Sequence, residues 1–343
     1  MSVLLPFSIL GAPGDDALDV ADVFSTDLYT GNGATQSITN GVDLSGQGGL
    51  VWIKDRDNAN NHRLHDSGQA GVNYSLSSNL TSASGTVANS ISSFNADGYT
   101  IGSNSTYNGS GQDFVGWTFR RAPKFFDVVT YTGDGANASG FSAKNISHNL
   151  GSVPGAIIIK RTDTTEEWLG GFKNGTNYQA LSLNETSASS GANGITLSAN
   201  DSTFNSGEIT NAAQTIGGNK NGATYVAYLF AHDTSDTGII QCGSYTGNGS
   251  ASGPTVTLGW EPQWLLVKRA SNVEAWYLFD NQRSAGATWD DSLRPNGTNI
   301  ENVGSALIRV DVSSTGFAPA SSDTSVNNSG DTYIYMAIRA EGA

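Results

Sequence analysis

The chain repeats itself, and the repeat confines it to architectures in which one unit occurs three times. Three segments open alike: Tyr29-Thr30-Gly31-Asn32-Gly33, Tyr131-Thr132-Gly133-Asp134-Gly135 and Tyr245-Thr246-Gly247-Asn248-Gly249. Four landmarks follow each opening in the same order. The first is an apolar run ending in a base: Leu50-Val51-Trp52-Ile53-Lys54, Ala156-Ile157-Ile158-Ile159-Lys160-Arg161 and Leu265-Leu266-Val267-Lys268-Arg269. The second is a ring eight residues past that lysine, His62, Trp168 or Trp276. The third is Gly98-Tyr99 in the first copy and Gly316-Phe317 in the third, a place taken by Phe204 in the second. The fourth is a closing run after a polar turn: Phe114-Val115-Gly116-Trp117-Thr118-Phe119, Tyr225-Val226-Ala227-Tyr228-Leu229-Phe230 and Tyr333-Ile334-Tyr335-Met336-Ala337-Ile338. The openings lie roughly 100 residues apart, longer than the ~20–50 residues of a solenoid unit, so each copy has the length of a domain.

Every copy reads as strand and turn. The closing runs alternate large with small or polar residues at a period of two. Asn-Gly, Asp-Gly and Ser-Gly pairs recur every ~8–12 residues and supply the positive backbone angles of tight hairpins. Helical periodicity does not extend beyond one turn. The stretch Asp15-Asp16-Ala17-Leu18-Asp19-Val20-Ala21-Asp22 is compatible with a short helical turn or a solvated acidic segment. The run 156–159 is apolar without alternation, as in a strand covered on both faces. The expected fold is all-β: three tandem related antiparallel β-sandwich domains over residues 27–122, 123–233 and 234–343, preceded by an N-terminal arm over 1–26. The boundaries fall at Arg121-Ala122-Pro123-Lys124 and His232-Asp233-Thr234-Ser235-Asp236.

Composition narrows the function. With 7 Trp, 12 Tyr and 13 Phe the chain is not disordered. Its formal net charge of −14 has the wrong sign for a protein that neutralises phosphates, so nucleic acid is not an expected partner. No apolar run approaches ~20 residues, and no membrane insertion is expected. The single Cys242 gives no disulfide framework, leaving packing or oligomerisation to stabilise the fold. The apolar residues Val3, Leu4, Leu5, Phe7, Ile9 and Leu10 lack the preceding positive charge of a secretory signal and read as an arm that docks on a neighbouring subunit. Sheet edges that need covering predict a homo-oligomer, with a trimer as one arrangement.

The pattern Tyr-Thr-Gly-Asn-Gly, then Leu-Val-Trp-Ile-Lys, then His-Arg-Leu-His-Asp-Ser (62–67), then Phe-Asn-Ala-Asp-Gly-Tyr-Thr-Ile-Gly (94–102) resembles a repeated domain of tailed-bacteriophage virion proteins, of the kind found in marine and cyanobacterial phages and their tail-fibre-like proteins. The match is close over 28–121 and looser over 127–231 and 238–342. The second copy departs most, with Gly170-Gly171 where the first has Leu64-His65. The resemblance implies a lectin-like jelly-roll shape and a virion structural role. It implies no catalytic residue.

Several groups invite chemistry. His62, His65 and Asp66 could ligate a metal, but residues three apart in a strand face opposite ways, and His62 occupies the slot of Trp168 and Trp276, which favours packing. Asp55 and Asp57 follow a strand, as calcium-binding loops do, yet the other copies do not keep the acids, which favours a plain surface turn. Glu166-Glu167 and Asp290-Asp291 could serve a polysaccharide depolymerase, although adjacent residues of a strand do not present two carboxyls across one bond. There is no Gly-x-Ser-x-Gly elbow, phosphate-binding Gly-x-x-x-x-Gly-Lys or His-Glu-x-x-His. Trp117, Tyr228 and Tyr335 occupy similar places in the closing runs and read as core. Trp260, Trp264, Trp276, Tyr277 and Trp289 crowd the third copy, and Trp289 with Asp290 and Asp291 is the best candidate for a surface contact.

The expected protein is a non-enzymatic virion surface component without a cofactor, made in the host cytoplasm and not secreted. It binds other virion proteins through the arm, and a host-surface glycan is a candidate ligand. A tail-fibre or tail-tip adhesin is the leading role. Head decoration, bound to the capsid lattice, is the alternative within the virion. A depolymerase and a secreted bacterial adhesin are the alternatives outside that class.

Overall fold

A computed structural model describes residues 18–135, 144–189, 199–206, 208–210 and 215–343. The apolar residues 3–10 lie outside the described residues. A strand sends successive side chains to opposite faces, and in each copy both faces of the main strands are apolar. Each copy therefore needs cover on two sides, and the architecture follows from how that cover is found.

The described residues are all-β, with antiparallel pairing throughout the sheets. In the first copy the main sheet has the order Phe24–Thr30, Asp113–Arg120, Gly49–Asp55, Arg63–Asp66. The third copy repeats this order with Ile240–Thr246, Thr332–Arg339, Pro262–Arg269 and Trp276–Asp280. The second does so with Phe126–Thr132, Thr224–Ala231, Pro154–Arg161 and Leu169–Asn174, and adds Asn177–Leu181 at the edge. Register is shared too. The opening tyrosines face the first aromatic of the closing strand as Tyr29↔Phe114, Tyr131↔Tyr225 and Tyr245↔Tyr333, and each pair stacks at 5.0–5.2 Å.

The outer face of each main sheet is covered by the copy's own smaller strands. In the first copy Ile38, Ile91, Tyr99 and Ile101 pack on Val51, Ile53 and Phe114. In the third, Val256, Val310 and Phe317 pack on Leu265, Val267 and Tyr335. In the second, Phe204 takes this place, in edge contact with Tyr131, as Phe317 contacts Tyr245. The inner faces meet one another. Trp52, Trp117 and Phe119 of the first copy, Phe126, Tyr228 and Phe230 of the second, and Trp264, Leu266 and Met336 of the third share one hydrophobic cluster. Phe119 stands at its middle, 5.6 Å from Phe230 and 5.8 Å from Trp264, ring to ring.

Three expectations change. Pairing places Trp117 opposite Trp52, Tyr228 opposite Ile158 and Met336 opposite Leu266. The third counterpart of Trp117 and Tyr228 is therefore Met336, while Tyr335 turns to the outer cluster. The body also begins before residue 27. Asp19 caps a single turn over Val20–Asp22, Val20, Val23 and Phe24 are buried, and the first strand starts at Phe24. Trp289 is not on the surface: it is 1 % exposed, paired with Val310 and held in the outer cluster of the third copy.

Candidate functional site

The shared opening is a turn clamp. Its tyrosine hydroxyl donates to the carbonyl of the residue before a particular asparagine: Tyr29 to Tyr107 at 2.8 Å, Tyr131 to Gly218 at 2.7 Å and Tyr245 to Val326 at 2.7 Å. The asparagines Asn108, Asn219 and Asn327 accept through Oδ1 from the backbone N–H of Asn32, Asp134 and Asn248. Their carbonyls accept from Gly33, Gly135 and Gly249, which hold positive φ of 70°, 54° and 67°. The first glycine of each motif has no room for a side chain. A Cβ on Gly31, Gly133 or Gly247 would stand 2.2 Å from a carbonyl oxygen. The motif thus ties the opening strand to the turn before the closing strand.

The buried base is the second repeated device. Lys54, Lys160 and Lys268 are fully buried. Each ammonium donates to the carbonyl of the next residue, at 2.8 Å for Lys160 and 2.6 Å for Lys268. Lys54 also reaches the Asn58 carbonyl at 3.1 Å, and Lys268 the Thr186 carbonyl of the second copy at 3.3 Å. Burial disfavours the charged form and pulls all three down to about 8.

The ring residues make the joints between copies. Trp168 donates its indole N–H to the Ser77 carbonyl of the first copy at 3.1 Å, and Trp276 donates to Ser182 of the second at 3.1 Å. His62 faces the Arg294 backbone of the third copy, although its Nε2 completes no hydrogen bond of ordinary geometry. The accepting loops match: Leu76-Ser77-Ser78-Asn79, Leu181-Ser182-Leu183-Asn184 and Leu293-Arg294-Pro295-Asn296. Within each copy the loop's asparagine accepts from the ring residue's backbone N–H, as Asn79 with His62, Asn184 with Trp168 and Asn296 with Trp276. The second copy therefore reaches back to the first, the third to the second, and the first to the third. The set closes on itself.

A second polar tie follows the same circle. Tyr228 donates to Asp66 of the first copy at 2.8 Å, and Trp117 donates to Asp280 of the third at 3.0 Å. The corresponding positions in the remaining joint are Met336 and Phe172, an apolar pair. The joint between third and first copies, whose partners are furthest apart along the chain, carries the densest charge network. Arg283 and Asp280, both with 0 % side-chain exposure, pair at 2.7 Å. Arg283 also binds Glu301 at 3.1 Å and the Leu278 carbonyl at 2.9 Å, and lies over the Trp117 ring at 5.6 Å. Glu301 is held from the first copy by Arg56 at 2.7 Å. Nothing in the sequence singled out Asp280, Arg283 or Glu301, because the partners stand 163 and 245 residues away from them.

The residues nominated from sequence fall into this framework. His62 and His65 face opposite clusters. His62 Nδ1 accepts from Trp52, while His65 binds the Val72 carbonyl at 2.8 Å and the Tyr107 hydroxyl at 2.9 Å. Burial holds His62 well below the ordinary histidine range and brings His65 down to about 4. Asp66 is raised by burial. Asp55 is buried rather than part of a surface turn. Its carboxylate accepts from the backbone N–H of Asp57 and Asn58 and from the Asn60 side chain, and Asp57 accepts from Asp113 N. Among the described residues, no group of three or more His, Cys, Asp or Glu side chains could hold a metal ion. Of the paired acids, Glu166 faces Arg161 at 3.6 Å, Glu167 accepts from Asn184, and Asp291 accepts from Gly304 N.

Fold and joints together define an all-β protein of three repeated sheets closed around a common core. A family model described as a domain of unknown function (DUF7483) matches residues 19–342, and the chain belongs to that family. The match takes in all three copies. No curated protein matches the chain in sequence.

Proposed function

We propose that the chain is a structural protein of a bacteriophage virion, displayed on the particle surface at the tail fibre or tail tip and acting in assembly and adhesion to the host surface. Each copy is a β-sandwich domain in this reading, fused to the others through the shared core. Residues 3–10 serve as the docking arm. The observation that carries it is where the chemically capable side chains go. Asp66, Asp280, Arg283 and Glu301 are spent on joints between copies, and Lys54, Lys160 and Lys268 on backbone carbonyls near those joints. A framework that uses its ionisable groups to lock three repeats together suits a load-bearing or display role. The virion assignment itself is supported by the resemblance of the repeat to phage structural domains. Strand 126–132 also packs against 49–55, and 240–246 against 169–174, so the copies adjoin through their strands.

The test is immunogold electron microscopy of particles from a phage carrying this gene. Label at the tail tip is the expected result, label over the capsid lattice would make the chain a head-decoration protein, and its absence from purified particles would remove the virion role. Particles made with residues 3–10 deleted are expected to lack the protein.

A further inference from the structure

A groove of about 440 Å³ opens where the first two copies meet, and its chemistry differs from that of the other joints. One wall is the first copy's loop, with Tyr74, Ser84 and Gln69; the other is the upper edge of the second copy's sheet, with Thr130, Thr132, Thr162 and Thr224. The walls are fixed to each other, because Ser84 N donates to the Thr162 carbonyl at 3.0 Å. Gln69 is fixed by Asp66, to which its Nε2 donates at 2.7 Å, and it accepts from the Ser84 hydroxyl. Thr162 and Thr224 share a hydroxyl–hydroxyl bond at 2.7 Å, and Thr130, Thr132 and Thr224 are exposed.

Two of the matching positions elsewhere are already committed. Where the second copy has Thr162 the first has Arg56, bound to Glu301. Where it has Thr130 the third has Ser244, whose hydroxyl donates to Asn174 at 2.7 Å. The joint between the first two copies has threonine hydroxyls at these places and lines its groove with them.

We propose that this groove binds a neutral saccharide, one or two rings in size. Its volume lies within the ~300–1,000 Å³ of small-ligand sites. Among the described residues its lining has no charged side chain, so an ion would meet no counter-charge on its walls, and a chain of net charge −14 repels anions further. Threonine and serine hydroxyls both donate and accept, as sugar hydroxyls do, and Tyr74 supplies an aromatic surface for the apolar face of a ring. The biological meaning of the site rests on the surface-adhesion reading above.

The test is saturation-transfer NMR on the full chain with the methyl glycosides of glucose, galactose, mannose and N-acetylglucosamine, and with methyl glucuronide as the charged control. Transfer to at least one neutral glycoside and none to the glucuronide is expected, with binding weakened about tenfold in Tyr74→Ala and in Thr224→Val. Circular dichroism confirms that both variants are folded. The proposal is overturned by no transfer to any of the four, or by transfer that both variants leave unchanged. Beads coated with the protein separate it from the adhesion reading. Cell capture by the native protein that both variants retain would overturn the groove and leave adhesion standing. Glycoside binding without cell capture would keep the groove and remove adhesion.

Discussion

Trp52 donates its indole proton to Nδ1 of His62 at 2.9 Å, and the two rings meet edge to face at 5.8 Å. The other copies build the same place from Ile158 with Trp168 and from Leu266 with Trp276. In those copies the indole stands at the start of Leu169–Asn174 or Trp276–Asp280 and donates across the joint. In the first copy it stands on Gly49–Asp55 and is satisfied at home, so His62 meets the third copy with Nε2 unbonded. Bulk has moved from one strand to its neighbour, and the hydrogen bond across the joint has gone with it.

This exchange predicts coupling. His62→Trp alone puts a second indole beside Trp52 and removes that residue's acceptor, and it should cost about 1–3 kcal/mol. Adding Trp52→Leu rebuilds the pairing of the third copy and should recover most of the loss. Urea unfolding of the two single variants, the double variant and the parent should give a coupling energy of at least about 1 kcal/mol. Additive losses would mean that the two positions are independent.

The closing joint should depend on Asp280 more than on Arg56. Removing Asp280 leaves Arg283 buried with only Glu301 to offset its charge and takes the acceptor from Trp117, so Asp280→Ala should lose about 3–5 kcal/mol. Arg56 is 21 % exposed, and its partner Glu301 keeps Arg283, so Arg56→Ala should lose within about 1 kcal/mol. Tryptophan fluorescence during urea unfolding follows both. Equal losses would show that the buried pair is not what holds the first and third copies together.

The turn clamp gives a prediction with an internal control. Gly133→Ala and Gly247→Ala each drive a Cβ into a carbonyl oxygen, and Asn327→Ala removes an amide whose two Nδ2 protons are shared among three oxygens at 2.7–3.0 Å. Each should cost upward of about 2 kcal/mol. Gly85 has nothing within 4 Å of a modest side chain, and Gly85→Ala should stay within about 0.5 kcal/mol. Thermal unfolding distinguishes the two groups directly.

How much of this was legible follows the range of each interaction. The openings and the lysine runs were readable because each satisfies a demand made by its own strand or turn, and the ring positions because they stand at a fixed distance after the lysine, although what Trp168 and Trp276 bind lies on another copy. Asp66 and Asp280 were not, since what makes them joint residues is a donor on another copy, and no local period carries that. Tyr335 was matched with Trp117 because it is aromatic, whereas the pairing gives the inner position to Met336, a flexible side chain that fills the same space without a ring. Trp289 next to two aspartates looked exposed, and only the strand at Val310, supplied from beyond an irregular loop, buries it. Alternation told which residues need cover but was silent on which copy provides it.

The three buried lysines predict an alkaline stability maximum. Their ammonium groups titrate at about 8 in the native state against 10.5 when unfolded. Below pH 8 both states are protonated and the cost of burying the charge is constant. Between pH 8 and 10.5 the unfolded chain holds protons that the native lysines have released, so stability rises with pH. Tyrosines oppose this above pH 10, because burial keeps Tyr29, Tyr99, Tyr228 and Tyr245 protonated in the native state while the unfolded ones ionise. On the acid side His65, at about 4 against 6.5, and His62, lower than 6.5, make stability fall as the pH drops below 6.5. Asp66, raised above 3.8 by burial, works in the other direction. The urea midpoint should therefore climb from pH 5 to 7, climb again between pH 8 and 10, and then decline. Lys268→Met should flatten part of the alkaline rise and leave the acid limb unchanged. A midpoint that is level or falling from pH 8 to 10 would show that the buried ammonium groups are better solvated by their carbonyl partners than their burial implies.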